Sequence, residues 1–401
     1  MISHVADASA VGEWVARDAV LRRLVVPEGA PLVSLVGGAV RDALIGVTHG
    51  VDVDLVVEGD AIALARVIGR DLGGRVVVHD RFGTARLEFA HGRHVDMVSC
   101  RRESYPQPGA LPIVAPGTLD DDLARRDFTV NAMAYRISGP DAGTLVDPHG
   151  GRNDLAAARI RAIRRGTFAE DPSRVVRALR YAARLAFRLD DDTAAEARTC
   201  LASLDLASSR VGDELRRLLT EDSSSAALTL AAALGAPWPD DDAAREARLA
   251  AVGPALGQPG APAPPTWAIR LGLGLRPEAA AAAAVPQWAR AVAAEARAGL
   301  QLADRVRGAH SASAIDVVLR DTAAAEQVGA VIAGADAVAT WWAQWRDMTP
   351  AINGADLVAA GVPPGPAIGR ALAAVRADVL DGRAGDRDQQ LAHALVVAGV
   401  A

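Results

Sequence analysis

Cysteine is almost absent from this 401-residue chain: Cys100 and Cys200 are the only two. That excludes a disulfide scaffold and a zinc ribbon, which need clustered cysteines, and both read as plain thiols in a reducing compartment. Lysine is missing altogether, all 43 cations being arginine. With no Gly-Lys-Ser/Thr there is no Walker phosphate loop, and the Gly-x-Gly-x-x-Gly of a dinucleotide fold is absent too. An excess of positive charge is also lacking, since 49 carboxylates bring the net charge to −6. An argument for a polyanionic partner therefore rests on local clusters, because fields are screened beyond about 8–10 Å. No apolar run approaches the roughly 18 residues of a spanning helix. The opening MISHVADASAVGEW lacks the basic stretch and apolar core of a signal peptide. These absences predict a soluble, cytoplasmic protein with no membrane partner.

The chain is half hydrophobic, and at about 100–200 residues per domain its length predicts two to four domains. Up to about residue 140, β-branched runs at 32–36, 51–57, 75–79, 85–89 and 94–98 alternate with helical patterns at 40–45 and 61–72. After Asp147-Pro148, alanine, leucine and arginine take over at helical spacing, which predicts an all-helical remainder. The Pro/Gly/Ala stretch 253–265 reads as a long loop within it, and Met348-Thr349-Pro350 as a second break. The divisions are 1–140, 141–204, 205–347 and 348–401.

Four segments carry chemistry. In Val36-Gly37-Gly38-Ala39-Val40-Arg41-Asp42 an apolar strand meets two glycines and a helix. Glycine lets backbone N–H groups approach phosphate, and Arg41 one turn on would clamp a triphosphate; a plain strand–turn–helix has the same pattern. In Val51-Asp52-Val53-Asp54-Leu55-Val56-Val57, residues i and i+2 of a strand share a face, so Asp52 and Asp54 point the same way above Val51, Val53 and Leu55. Two like charges so placed suit a Mg²⁺ between them, the alternative being a polar edge strand. Asp96, in the run His94–Val98, supplies a third strand carboxylate. Three carboxylates on adjacent strands fit two-metal nucleotidyl transfer.

In Arg125-Arg126-Asp127-Phe128-Thr129-Val130-Asn131, Asp127 and Asn131 stand four apart, as if stacked on one helix face where they would hold sugar hydroxyls, with Arg126 near a phosphate. The plainer reading is a helix capped by Asp127. In Glu170-Asp171-Pro172-Ser173-Arg174, Asp171 and Arg174 complement the amino donor and ring-nitrogen acceptor shared by adenine and cytosine, while Asp-Pro is also an ordinary helix start. Between Arg152 and Arg188 lie ten arginines and three acids. Arg177, Arg180 and Arg184, in the thick of this cluster, are candidates for phosphate or RNA contact, and Arg174, Arg177, Tyr181, Arg184 and Arg188 share one helical face.

In this order GGAVRD, DVD, RRDFTVNAMA, LVDPHGGRNDL and EDPSRVVRALR, over about residues 32–190, resemble the class II tRNA nucleotidyltransferases and the related bacterial poly(A) polymerases. A fainter likeness lies in PAINGADL and PGPAIG near the C-terminus. The resemblance implies an α+β head of the DNA polymerase β-like nucleotidyltransferase type with a five-stranded mixed sheet, followed by an all-α neck, body and tail. It implies untemplated addition of C, C and A to a tRNA 3′ end from CTP and ATP. Asp52 and Asp54 would bind Mg²⁺ (two ions) and Asp96 would occupy the third acidic position. Gly37, Gly38, Arg41 and Arg126 would hold triphosphate, Asp127 and Asn131 ribose, Asp171 and Arg174 the base. Residues 101–119 fall where the family keeps a mobile loop needed for the final A. His79-Asp80 reads as a turn and not as part of a metal phosphohydrolase. A-only addition, poly(A) synthesis, a silent RNA-binding module and a small-molecule nucleotidyltransferase are the alternatives.

Overall fold

The computed structural model describes residues 5–47, 52–79, 83–107, 109–110 and 112–400. It divides into two compact units, Met1–Asp205 with Ala233–Pro237, and Leu206–Ala232 with Trp238–Ala401.

The first unit is built on a mixed sheet in the order β3-β4-β5-β2-β1-β8-β9. Its strands are β1 (Val33–Val36), β2 (Val53–Val57), β3 (Arg75–His79), β4 (Thr84–Glu88), β5 (His94–Ser99), β8 (Ala134–Arg136) and β9 (Leu145–Val146). The sheet thus has seven strands where five were expected. The five runs read from β-branched residues are all present, and the additions are strands of three and two residues, too short to leave a pattern. β2 and β5 pair in parallel; the other neighbours are antiparallel. Central β1 is buried along its whole length, Ser34 included, so no exposed polar face alternates with an apolar one.

Helix α2 (Gly38–Leu44) follows β1, and α3 (Ala61–Leu72) follows β2. The Asp60 side chain caps α3 by accepting from the Ala63 N–H, and Gly73 ends it with φ 72°. Ala61, Leu64, Ala65 and Ile68 form its buried stripe. Residues 101–119 hold a hairpin of β6 (Arg101–Ser104) and β7 (Ile113–Pro116), then the start of α4 (Leu119–Ala124). Leu119 and Leu123, one turn apart, press α4 onto Val36 and Val56 of the sheet, beside Cys100. Truncating Leu123, which is wholly buried, removes packing worth about 2–5 kcal/mol.

Past the head come α5 (Gly151–Ala156), α6 (Thr167–Glu170), α7 (Ser173–Leu185) and α8 (Asp191–Ala202). They are not purely helical: β10 (Arg159–Ile160) and β11 (Arg188–Leu189) form a short parallel pair. Asp80 and Val51, named above, lie outside the described residues; His79 ends β3.

The second unit runs from α9 (Ser209–Thr220) to α20 (Arg387–Ala398) with helices throughout. One of its helix crossings is close enough to restrict side-chain size. Where α14 (Gln287–Arg307) crosses α16 (Ala324–Ile332), a Cβ on Gly299 would stand 2.1 Å from the Glu326 carbonyl oxygen, and one on Gly329 2.0 Å from that of Ala296. Backbones this close admit only small residues. The stretch 253–265 is not all loop: α11 (Arg245–Leu256) carries Pro254 in its last turn. Near the C-terminus α18 (Gly354–Ala359), α19 (Pro366–Leu380) and α20 share a core of Leu357, Val362, Ala371, Val375 and Ala394. Among the described residues no helix is long and apolar enough to cross a membrane.

Candidate active site

β1 ends on Gly37, which turns the chain into α2 with φ 72°. A Cβ there would lie 2.8 Å from Arg126 Nη1 and 4.0 Å from Asp54 Oδ2, so both the positive φ and the close approach require glycine. Gly37, Gly38, Asp54, Arg126, Asp127, Asn131, Arg174, Arg177 and Tyr181 line one cleft of about 300 Å³.

Asp54 lies on β2 opposite Val36 of β1 and Asp96 of β5. Burial raises its carboxyl above the ordinary range, with Arg126 opposing the shift and Asp96 and Asp52 adding to it. Asp52 precedes β2, is 86% exposed and stands 4.0 Å from His94 Nε2. Asp96 is held by Arg86 through both guanidinium arms, at 2.7 and 2.8 Å. Among the described residues no three acids, histidines or cysteines gather closely enough to form a metal cage. Asp52 and Asp54 together still suit Mg²⁺, which takes oxygen donors, one or two of them carboxylates, and leaves positions for phosphate. The burial and like charges that raise the Asp54 carboxyl are what a cation bound beside it would offset.

Asp127 and Asn131 do meet, but not on an α-helix. The segment is a bend with a single 3₁₀ turn at Thr129–Asn131, and the Asn131 Nδ2 donates to Asp127 Oδ1 at 3.2 Å. Buried Asp154 fixes this turn by accepting from Thr129 Oγ1 at 2.6 Å. Burial pushes the Asp127 carboxyl up, but Arg177, the Asn131 amide and the Phe128 N–H outweigh it and bring it below its ordinary value. Sequence spacing found the pair and mistook the backbone, since i, i+4 residues also converge across a tight turn.

Arg41 does not line the cleft. It is 2% exposed, pairs with Asp42, donates from Nη1 to Asn131 Oδ1 at 2.5 Å and lies 5.1 Å from the Tyr181 ring centroid. The same ring lies 4.7 Å from the Arg180 guanidinium and 4.9 Å from that of Arg184. Of the three arginines marked for phosphate or RNA, Arg177 lines the cleft, while Arg180 is buried.

Asp171 accepts through Oδ1 from the N–H and hydroxyl of Ser173, at 3.1 and 2.7 Å, and so helps start α7. Arg174 is 7% exposed, with donors engaged by Thr167 Oγ1, Glu170 Oε2, the Arg125 carbonyl and Tyr105 Oη. Tyr105 escaped the sequence reading. It follows β6, donates to Glu103 at 3.0 Å, and its ring centroid lies 5.8 Å from Arg174. Burial, opposed by Arg174 and aided by Glu103, pushes its hydroxyl up to about 12, so it stays protonated at neutral pH. Nothing in the Pro/Gly-rich stretch around it distinguished this tyrosine.

A family model described as the Poly A polymerase head domain matches residues 33–161. Of curated relatives, an A-adding tRNA nucleotidyltransferase from Halalkalibacterium halodurans is 46% identical over 160 residues, 40% of this chain and 37% of that protein. A CC-adding tRNA nucleotidyltransferase from Deinococcus radiodurans is 44% identical over 194 residues, 47% of this chain and 50% of that protein. A solved CCA-adding enzyme in an apo form aligns over 98% of this chain and 99% of its own, with TM-score 0.83 and 23% identity. The matched stretch, residues 33–161, contains the seven strands of the sheet and Gly37, Asp54, Arg126, Asp127 and Asn131 of the cleft. The chain as a whole has the fold of a CCA-adding enzyme, while its matched stretch spans half or less of those two curated relatives.

Proposed function

We propose that the chain is a template-independent tRNA nucleotidyltransferase that adds CCA, or part of it, to tRNA 3′ ends from CTP and ATP. The RNA 3′-hydroxyl attacks the α-phosphate and pyrophosphate leaves. The observation that carries this reading is one cleft lined by the Gly37-Gly38 turn, four arginines (Arg125, Arg126, Arg174 and Arg177) and Asp54, whose carboxyl burial and like charges hold above its normal pKa.

Asp52 and Asp54 would hold Mg²⁺, with Asp96 at a third acidic position. Held by these residues, a divalent cation would supply charge that lowers the pKa of the attacking hydroxyl and offsets that of the departing pyrophosphate. Gly37 and Gly38 bring backbone N–H groups to the phosphates, and Arg126 meets them with its guanidinium. Asp127 and Asn131, already joined, orient the ribose, and Arg177 holds Asp127 ionised so that it accepts from a sugar hydroxyl. Arg174 reads the base edge, with Asp171 beside it at the start of α7. Arg41 acts from behind, fixing Asn131. Relatives named for A addition and for CC addition match this chain at 46% and 44% identity, which supports a chemistry shared by the two kinds of addition.

The deciding experiment offers labelled ATP and CTP separately to tRNAs ending before the tail, after C and after CC, with a generic RNA as control. Full CCA addition extends all three ends in order. Extension of the CC end alone marks A-only addition, extension of generic RNA marks poly(A) synthesis, and no incorporation anywhere refutes the proposal.

A further inference from the structure

Asp122 of α4 is 0% exposed, and none of the roles above uses it. A buried carboxylate is stable only when its charge and lone pairs are met. Here both oxygens are filled: Oδ1 accepts from Arg125 Nε at 2.9 Å and Nη2 at 2.7 Å, and Oδ2 accepts from Arg126 Nη2 at 3.0 Å. The fork of Arg125 takes one oxygen entirely, so Arg126 is gripped by a single nitrogen. Its Nη1 stays in reserve, making only a 3.4 Å bond to the Asn131 carbonyl.

The same guanidinium lies beside Asp54 and is its largest favourable charge. An arginine on a flexible stem moves to the strongest carboxylate within reach. With Asp122 ionised, Arg126 is pulled toward α4, which Leu119 and Leu123 anchor to the sheet. Without that charge, the competing carboxylate is Asp54 itself, and an ion pair there would take Arg126 off the phosphate path.

We propose that Asp122 is the positioning residue of the nucleotide site, holding Arg126 by one nitrogen so that it reaches a triphosphate and does not collapse onto Asp54. Arg125 assists by occupying the remaining carboxylate oxygen. The inference rests on the nucleotidyltransferase reading, and in particular on Arg126 as a phosphate ligand.

The test measures KM for ATP, KM for tRNA, kcat, the Tm and competitive inhibition by inorganic tripolyphosphate, in Asp122→Asn, Arg126→Ala and the double variant. We expect Asp122→Asn to weaken ATP and tripolyphosphate about tenfold, as for a misplaced charge-assisted hydrogen bond. KM for tRNA should move less than about threefold, and the double variant should bind ATP no worse than Arg126→Ala alone. Unchanged tripolyphosphate inhibition in Asp122→Asn, or additive losses in the double variant, overturns the positioning role. Parallel losses of tRNA affinity, ATP affinity and Tm overturn it too, in favour of a purely structural carboxylate. If Arg126→Ala itself leaves ATP and tripolyphosphate binding unchanged, the phosphate role of Arg126 fails first. Should Asp122→Asn not fold, Asp122→Glu keeps the charge but shifts the fork by one methylene, and wild-type affinity for tripolyphosphate in it counts against the proposal.

Discussion

Asp54 and Asp96 face each other as partners across the parallel pairing of β2 and β5, yet only Asp54 lines the cleft and only Asp96 is tied down, by both arms of Arg86. Two acids equivalent in strand pattern therefore differ in availability. The bidentate Arg86 pair neutralises one and leaves the other to its neighbours.

Asp52→Ala and Asp54→Ala should each abolish nucleotide incorporation, by at least about 10³-fold or roughly 4 kcal/mol of barrier, while tRNA binding stays near wild type. Filter binding with single-turnover kinetics separates the two. Retained turnover in either variant would refute the metal assignment.

Gly37→Ala introduces a methyl where φ is 72° and Arg126 Nη1 stands 2.8 Å away. The backbone strain should cost about 1 kcal/mol of stability, visible as a small fall in Tm. The displaced guanidinium should raise KM for ATP and CTP about tenfold, a larger effect than the stability loss. A variant with unaltered nucleotide KM would show that this approach is unimportant to binding.

Arg174→Ala should raise use of GTP and UTP relative to ATP, because the base edge loses its guanidinium. Tyr105→Phe keeps the ring and removes the hydroxyl that accepts from Arg174 and donates to Glu103. A net hydrogen bond of about 0.5–1.5 kcal/mol sets the expected loss of selectivity at roughly three- to tenfold, less than for Arg174→Ala. Unchanged preference in competition assays with both variants would leave Asp171 and Arg174 as helix-start and packing residues.

In the second unit Asp316 of α15 (Ala312–Leu319) is 1% exposed and accepts from Arg376 of α19, Trp341 Nε1 and Arg320. Burial pushes its carboxyl up, but these donors outweigh it and hold it at about 2. An unfolded Asp titrates near about 3.9. Its stabilising contribution is therefore complete above about pH 5 and is lost progressively as pH falls toward 2 and below. Chemical denaturation of wild type and Asp316→Asn across that window should converge at the acid end. Parallel stability curves for the two would show that Asp316 titrates alike folded and unfolded.

The five main strands were legible because β-branched runs broken by Gly and Asp have little choice of conformation. Strands β8 and β9 were not, since two or three residues leave no period and exist only by pairing with β1 and with each other. Asp54, Gly37, Arg126 and the Asp127–Asn131 pair were found by local spacing. Arg41 was read as a phosphate clamp from the same kind of spacing, yet it turns inward to Asn131, 90 positions away. Tyr105 and Arg86 were missed, because each acts through a residue on another element and carries no motif of its own, and Asp122, though three and four positions from its arginines, is set apart from its neighbours Asp120 and Asp121 only by its burial.

Local stereochemistry, written in the order of residues, determined the strand–turn–helix at Gly37, the two acids flanking Val53 and the arginine-rich α7. Tertiary structure alone decided which charges are spent on one another and which remain for a ligand. Ion pairing depends on distance and burial, so the pairing of Asp96 with Arg86 across β4 and β5, the full burial of Asp122 and the exposure of Asp54 to the cleft exist only once the sheet and α4 are packed.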